Sequence, residues 1–266
     1  MISVVMPVFN AAGDLPRSLP SLARQRWRDF EVILVDGGSV DDTTDVAARI
    51  FGDSDVVLRQ IYLPGSSIYG AMNHGISEAK GEWIYILGVD DCLVSDDVFD
   101  RIQPQLRRAA PDVLVVYGDV WIEDPGYRYC QSWDLPRFLE VNISHQSAFY
   151  CRHALDRLNV CYGEKYSLYA DRDYNLKLFA KGQFLYVPTL IASYACTGAS
   201  SRRKDQLFLA DKEANAIRYF GWRSCWLIPP DRFALGLARL SGPRPTLVQL
   251  INRFLWRCRR LLSRWQ

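Results

Sequence analysis

Short apolar runs recur along the first 120 or so residues, each followed by a turn and then by apolar residues three or four positions apart. The runs are Ile2 to Met6, Phe30 to Val35, Val56 to Leu63, Trp83 to Leu87 and Val113 to Val116. Ile2 to Met6, Trp83 to Leu87 and Val113 to Val116 predict buried strands, Phe30 to Val35 reads as the second strand, and Val56 to Leu63 resembles a third. Between them, Leu15, Leu19, Leu22 and Ala23 predict a helix from about Asp14 to Gln25, and Val46, Ala47 and Ile50 a second. Ala71, Met72, Gly75, Ile76 and Ala79 predict a third, stopped by Lys80-Gly81, and Val98 to Arg108 a fourth, broken by Pro111. Pro7 cannot donate to a ladder and ends the first strand; Ser39 or Asp41 can cap the second helix; Gly65 to Gly70 reads as a loop. Strand and helix alternating through short connections mean right-handed crossovers and a parallel sheet.

After Trp121 the rhythm weakens and turn residues crowd in, at Asp124-Pro125-Gly126 and Leu135-Pro136. This half is expected to cover the open side of the sheet. Ile143 to Tyr150 reads as a short strand with a polar centre. Tyr169 to Leu178 starts a helix whose first turn carries Asp171 and Asp173, and acids there are favoured by the helix dipole by about 0.3–1 kcal/mol each, so a structural role suffices for either. Thr246 to Gln266 sets Leu247, Leu250, Ile251, Phe254, Cys258, Leu261, Leu262 and Trp265 along one helical face, with arginines opposite. That is the pattern of a helix lying on an anionic membrane surface, and equally of a core-packing helix with a solvated basic face.

Candidate chemistry begins where the run Trp83 to Val89 stops on Asp90 and Asp91. Ligands bind at the carboxyl ends of strands in open α/β sheets, so two acids there suggest a place where a divalent cation meets phosphate oxygens. They could equally begin a loop, with Ser95 and Asp96 capping the next helix. The turn from Pro7 to Asp14 has a single glycine, and no G-x-x-x-x-G-K-[ST] occurs in the chain, so no glycine-rich cradle is available for phosphates.

The net charge of +2 over 266 residues conceals a contrast. From Pro245 to Gln266 there are five arginines and no acid, leaving the remainder slightly acidic. No nucleic-acid partner is expected. Seven scattered cysteines without a C-x-x-C pair argue against a zinc site or a disulfide framework and favour a reducing compartment. The first residues lack a signal-peptide pattern, and no apolar run approaches the roughly 20 residues of a membrane span. A cytoplasmic protein is expected, with peripheral attachment at the inner face of the membrane if the basic tail binds lipid.

Val4-Val5-Met6-Pro7-Val8-Phe9-Asn10, Val35-Asp36-Gly37-Gly38-Ser39, Ile68 to Ile76, Gly81-Glu82-Trp83-Ile84 and Val89-Asp90-Asp91, in this order and spacing, resemble the family 2 glycosyltransferases. The likeness continues more thinly through Ser144-His145-Gln146-Ser147 and Asp171-Arg172-Asp173 to Thr197-Gly198-Ala199-Ser200-Ser201, and ends near Lys204. It implies a GT-A fold: a mostly parallel sheet with helices on both faces, a nucleotide-sugar-binding half over 1–120 and an acceptor half over 121–205; beyond the likeness, a helical extension over 206–266 is expected. It implies an inverting transferase that uses a nucleoside-diphosphate sugar, with Mg²⁺ or Mn²⁺. By position, Pro7, Val8, Phe9, Asp36 and Asn73 would hold the donor, Asp90 would contact ribose or metal, and Asp91 would coordinate the cation. The position of the family's base is Asp171, with Asp173 as rival; alignment with Leu176-Lys177-Leu178 favours Asp171. His145 and Gln146 are candidates for the diphosphate or the acceptor, and a structural role for His145 is as open. His74 and His153 are expected to be structural.

Two positions depart from the family pattern. Ala170 stands where an acid commonly precedes the base, and Gly70 where an acid often precedes Ala-Met-Asn. The first keeps open a non-catalytic nucleotide-sugar or glycan binding module on the same fold. The leading expectation is transfer of a hexosyl residue to a glycan or lipid-linked acceptor of the cell envelope.

Overall fold

The computed structural model describes residues 1–132, 135–195, 203–224 and 228–241. The motif Thr197 to Ser201 and the amphipathic segment Thr246 to Gln266 lie outside them. The chain divides into two compact units, Met1–Trp133 with Asn142–Arg203, and Asp134–Val141 with Lys204–Gln266.

In the first unit β1 (Ile2–Val8), α1 (Leu15–Ala23), β2 (Phe30–Asp36), α2 (Thr43–Phe51), β3 (Val57–Tyr62), α3 (Ile68–Glu78) and β4 (Trp83–Ile86) alternate as expected. After them come β5 (Cys92–Leu93), α4 (Val98–Arg108), β6 (Val113–Ile122) and β7 (Tyr127–Tyr129). The sheet order is β3-β2-β1-β4, parallel throughout, continued by β8 (Ala148–Cys151), β6, β9 (Gln183–Tyr194) and β5, with β7 paired to β6. Beyond β4 the sheet is mixed: β8 is antiparallel to both β4 and β6, β9 is parallel to β6, and β5 is antiparallel to β9. The parallel expectation therefore holds for the first four strands, while the second half adds the antiparallel pairing.

Every residue of β1 and β2 is buried, because alternate side chains face opposite helical layers. Val4 and Met6 join the cluster that holds Leu15, Leu19, Ala47 and Phe99. On the other face α3 crosses so closely that a Cβ on Gly75 would lie 2.4 Å from Val5 Cγ1. The parallel register sets Val8 beside Asp36 and Val5 beside Ile86, so three strand ends open at one edge.

Several local expectations are corrected. The loop ends before Gly70: α3 starts at Ile68, where Ser67 Oγ accepts a hydrogen bond from Gly70 N and caps it. Asp42, not Ser39 or Asp41, stands at the N-terminus of α2, and Asp41 instead accepts from Thr43 N at 3.1 Å. Asp97, not Ser95 or Asp96, stands at the N-terminus of α4, and Ser95 Oγ donates to its Oδ1 at 2.5 Å. Ile143 to Tyr150 is not one strand. His145–Ser147 forms a 3-10 turn and only Ala148–Cys151 is strand, because Gln131 Oε1 takes Ser144 N at 2.8 Å and Ser147 Oγ turns back to Ser144 O at 2.9 Å.

His153 lies on α6 (Arg152–Leu158) and His74 on α3, and α7 (Ala170–Phe179) carries both candidate bases. The second unit holds α5 (Leu135–Glu140), α8 (Gln206–Phe220), a 3-10 turn at Gly221–Arg223 and α9 (Pro230–Ser241). Asp205 caps α8 through Phe208 N at 3.0 Å, and Arg239 joins α9 to Asp211 of α8 at 2.7 Å. Among the described residues no helix is long and apolar enough to cross a membrane.

Candidate active site

A cavity of about 290 Å³ opens at the strand ends of the first unit, and Pro7, Asp90, Asp91, His145, Gln146 and Asp171 all line it. β1 delivers Pro7, the turn after β4 delivers the two aspartates, the 3-10 turn delivers His145 and Gln146, and the first turn of α7 delivers Asp171. Residues some 160 positions apart in sequence thus share one cavity.

The Asp90-Asp91 turn is tight. A Cβ on Gly88 would stand 2.8 Å from Asp91 Oδ2, so glycine is what lets the carboxylate fold back over the turn. Arg17 of α1 holds the turn from outside, its Nε donating to Asp90 O at 2.9 Å while its guanidinium pairs with Glu123. Asp91 is 2% exposed; Gln146 Nε2 donates to its Oδ2 at 2.8 Å and Ala195 N to its Oδ1 at 3.3 Å. Burial first, then the charge of Asp90, push its carboxyl up to about 6, against the lowering effect of those two donors and of His145.

The 3-10 turn is built from behind. Tyr85 OH of β4 donates to Gln146 O at 2.7 Å. Gln131 Nε2 reaches Gly118 O at 2.8 Å and Ser147 Oγ at 2.9 Å, and Gln131 N donates to Asp119 at 3.2 Å. Asp119, fully buried on β6, also accepts from Arg128 Nε at 2.8 Å and Tyr186 OH at 2.9 Å. Burial and Asp119 together push the Tyr186 hydroxyl up to about 12.

Asp171 accepts a 2.7 Å hydrogen bond from Asn142 Nδ2 on its Oδ2, and His145 Nδ1 lies 3.9 Å from the same oxygen. That separation is too long for a hydrogen bond but close for charges. Burial disfavours a charged imidazole at His145, yet Asp171, with Asp91 and Asp90, outweighs it and raises the group above its usual 6.5.

The expected residues do not all behave alike. Asp173 does not line the cavity; it is 2% exposed and its Oδ2 meets Lys177 Nζ at 2.7 Å. Asn73 lies outside the lining too, and its amide ties the 159–169 segment to α3, donating to Tyr162 O at 2.8 Å and accepting from Tyr162 N at 2.9 Å. Val8 and Asp36 end β1 and β2 side by side, and Phe9 follows Val8 in the bend beyond the strand. Phe9 is 64% exposed, while Asp36 Oδ1 organises its own turn by accepting from Ser39 Oγ at 2.6 Å and Ser39 N at 2.8 Å. Tyr162, Ser167 and Leu168 wall the cavity from a segment that carries no periodic or motif signal in the sequence. Asn142, Gln131 and Arg17 escaped as well, since isolated polar residues carry no periodic signal.

Both departures from the family pattern acquire physical reasons. Ala170 is fully buried. At Gly70, an added Cβ would stand 3.2 Å from Glu164 Oε2, and Glu164 already bonds Ser67 Oγ, so another residue's carboxylate fills the space beside the helix start.

Comparison with known proteins is consistent with this geometry. A "PGL/p-HBAD biosynthesis glycosyltransferase" of Mycobacterium tuberculosis is 36% identical over 219 residues, covering 80% of this chain and 82% of the relative. A "GalNAc(5)-diNAcBac-PP-undecaprenol beta-1,3-glucosyltransferase" of Campylobacter jejuni is 31% identical over 128 residues, covering 47% of this chain and 40% of that protein. Among solved structures, S. aureus TarS 1-349 in complex with UDP-GlcNAc has a TM-score of 0.69 at 14% identity, covering 97% of this chain and 91% of that one. The mannosyltransferase PcManGT of Pyrobaculum calidifontis, in complex with GDP-Man and Mn2+, has a TM-score of 0.63 at 20% identity, covering 99% and 82%. The family described as Glycosyl transferase family 2 matches residues 3–159. With a GT-A type fold and that match over more than half its length, the chain belongs to glycosyl transferase family 2 and is a glycosyltransferase.

Proposed function

We propose that the chain is an inverting, divalent-cation-dependent transferase that moves a hexosyl residue from a nucleoside-diphosphate sugar to a hydroxyl of a glycan or lipid-linked acceptor in cell-envelope polysaccharide or glycolipid synthesis. The observation that carries this reading is the cavity that Asp90 and Asp91 share with Asp171. It has a carboxylate pair suited to a cation on one side and a separate carboxylate suited to a base on the other.

The residues fit Mg²⁺ or Mn²⁺. Asp91 is a buried carboxylate disfavoured in its charged form by burial and by Asp90, which a dication would relieve. Among the described residues no cluster of three or more His, Cys, Asp or Glu is placed for a metal. A ligand set of one or two carboxylates is the usual one for Mg²⁺, whose remaining positions go to phosphates and water. When bound, such an ion supplies Lewis-acid stabilisation of charge on the leaving diphosphate. Gln146 orients Asp91 for that task.

Asp171 is the base: the acceptor O–H bond breaks, its proton passes to Asp171, and the oxygen attacks the anomeric carbon as the bond to the diphosphate breaks. The buried ion pair of Asp173 supports Asp171 over it. A positively charged His145, favoured by its three carboxylate neighbours, suits the diphosphate. Pro7, Val8, Phe9 and Asp36 frame the donor end, and Asn73 acts there through Tyr162. The catalytic machinery belongs to the first unit.

A relative named for a PP-undecaprenol-linked glycan, and structural neighbours in complex with UDP-GlcNAc or with GDP-Man and Mn2+, support this donor, cofactor and acceptor class. Nothing in them favours the non-catalytic module. Peripheral attachment through Thr246 to Gln266 rests on its arginine and apolar pattern. Deleting Pro245 to Gln266 should move the protein from membrane to soluble fractions, and unchanged partitioning would remove that element.

The deciding experiment screens UDP-, GDP- and dTDP-hexoses for Mn²⁺-dependent thermal stabilisation and turnover, since a ligand of the native state raises stability with the logarithm of its concentration over Kd. One or more donors should stabilise the protein only with metal, and Asp91→Ala should abolish that difference. Equal stabilisation with and without metal would overturn the cation's role.

A further inference from the structure

Behind Asp171 runs a ladder of side-chain hydrogen bonds that none of the roles above uses. Tyr150 OH of β8 donates to Asn175 Oδ1 at 3.0 Å, Asn175 Nδ2 donates to Asn142 Oδ1 at 2.8 Å, and Asn142 Nδ2 donates to Asp171 Oδ2 at 2.7 Å. Tyr150 and Asn175 are buried and Asn142 is half-buried.

The direction of the ladder follows from chemistry. A carboxylate acting as a base is ionised and can only accept. Asn142 must therefore present its NH₂ to Asp171 and its carbonyl to Asn175, which must do the same in turn to Tyr150. Every amide orientation is fixed from the carboxylate outward.

Asp171 and Asn175 are one turn apart on α7, on the same helix face, and Asn142 bridges them from three residues before His145. One amide thus joins the first turn of α7 to the segment that presents His145 and Gln146. Burial does not demand this bond, since a half-buried Asn142 could find water.

We propose that Asn142 is the positioning residue for Asp171. It occupies Oδ2 and holds the carboxylate in one rotamer, which leaves Oδ1 to receive the acceptor's proton, and it keeps the base in register with the turn that carries Gln146 to Asp91. The proposal rests on the assignment of Asp171 as base. The other groups that face Asp171 are His145 at 3.9 Å, Asp90 and Asp91 around the cavity, and Tyr150 and Tyr162 in the core behind; Asp173 and Lys177, farther along α7, are paired with each other.

The test uses the full chain with Asn142→Ala and the isosteric Asn142→Asp. Carboxyl ¹³C NMR of metal-free protein with labelled aspartate, at one fixed pH, reports the surroundings of the Asp171 carboxyl; kcat and KM are read with whichever UDP-, GDP- or dTDP-hexose the wild type turns over. Both variants remove the amide donor to Oδ2 and move the Asp171 carboxyl resonance away from its wild-type position. In both, kcat falls between about 10- and 100-fold with donor KM within about twofold, as expected of a misplaced base. An Asp171 resonance identical to wild type in both variants, or an unchanged kcat, overturns the proposal. If the wild type turns over no nucleotide sugar, the functional reading fails, while the resonance still decides whether Asn142 bonds the carboxylate.

Discussion

Gln146 Nε2 donates a 2.8 Å hydrogen bond to Asp91 Oδ2, tying the 3-10 turn to the end of the strand that carries the acidic pair. The bond favours the charged carboxylate, yet burial and Asp90 outweigh it and leave Asp91 at about 6. Asp91 is held where its ionised form costs stability, a cost that a cation is suited to offset.

A first expectation concerns that cost. The folded carboxyl titrates at about 6 against an ordinary 3.8, so its contribution to stability is present below the unfolded value and is lost as pH rises through 6. The difference corresponds to about 3 kcal/mol. In metal-free protein, urea unfolding from pH 4 to pH 7.5 should show this loss for wild type and not for Asp91→Asn. Parallel pH profiles would refute the assignment.

The same linkage sets the pH dependence of metal binding. Below pH 6 a cation must displace a proton from Asp91; above it the carboxylate is already charged. Stabilisation by saturating Mn²⁺ with a nucleoside diphosphate should be larger at pH 7.5 than at pH 5, and chelation should reverse it. Differential scanning fluorimetry with and without EDTA measures this directly.

The two acids of α7 should separate cleanly. Asp171→Asn should lower turnover by about 10²–10⁴-fold while leaving the melting temperature nearly unchanged. Asp173→Ala removes a buried partner of Lys177 and should destabilise by about 1–3 kcal/mol, with turnover at permissive temperature within a few-fold of wild type. The reverse pattern would move the base to Asp173.

Restoring the family's acid at Ala170 should not help. A carboxylate in the first turn of a helix gains about 0.3–1 kcal/mol from the dipole, but Ala170 is fully buried, and burying an uncompensated polar group costs about 1–3 kcal/mol on mutational scales. The second effect wins. Ala170→Glu is expected to lower the urea midpoint without raising kcat, and a more stable, more active variant would contradict the burial account.

Arg128 and Asp119 test the scaffold behind the site. Asp119 is fully buried and accepts from Arg128 Nε at 2.8 Å. Arg128→Ala leaves it only Tyr186 OH and Gln131 N among these partners, at a cost of about 2 kcal/mol. Because Gln131 also holds the turn that carries Gln146, Mn²⁺ affinity should fall with stability. Metal affinity equal to wild type would show that the scaffold and the turn are uncoupled.

The sequence by itself determined the strands, the helices that separate them and the acids at the end of β4, because those depend on local apolar period and on turn chemistry. It also marked Asp171, through likeness to a motif that has a fixed place on a helix. What it misread were junctions where a side chain competes with the backbone for a hydrogen bond. Ser144 to Ser147 is a turn because Gln131, distant in sequence, takes Ser144 N, and no periodicity reports a partner that far away. Only the tertiary structure brought Pro7, Asp91, His145 and Asp171 to one cavity, paired Asp173 with Lys177, and put Asn142 against Asp171. Those contacts arise where β8 extends the sheet beside β4 and α7 packs Tyr174 against Tyr150 of β8, and single polar residues such as Asn142 and Gln131 acquire their chemistry from the neighbours that packing gives them.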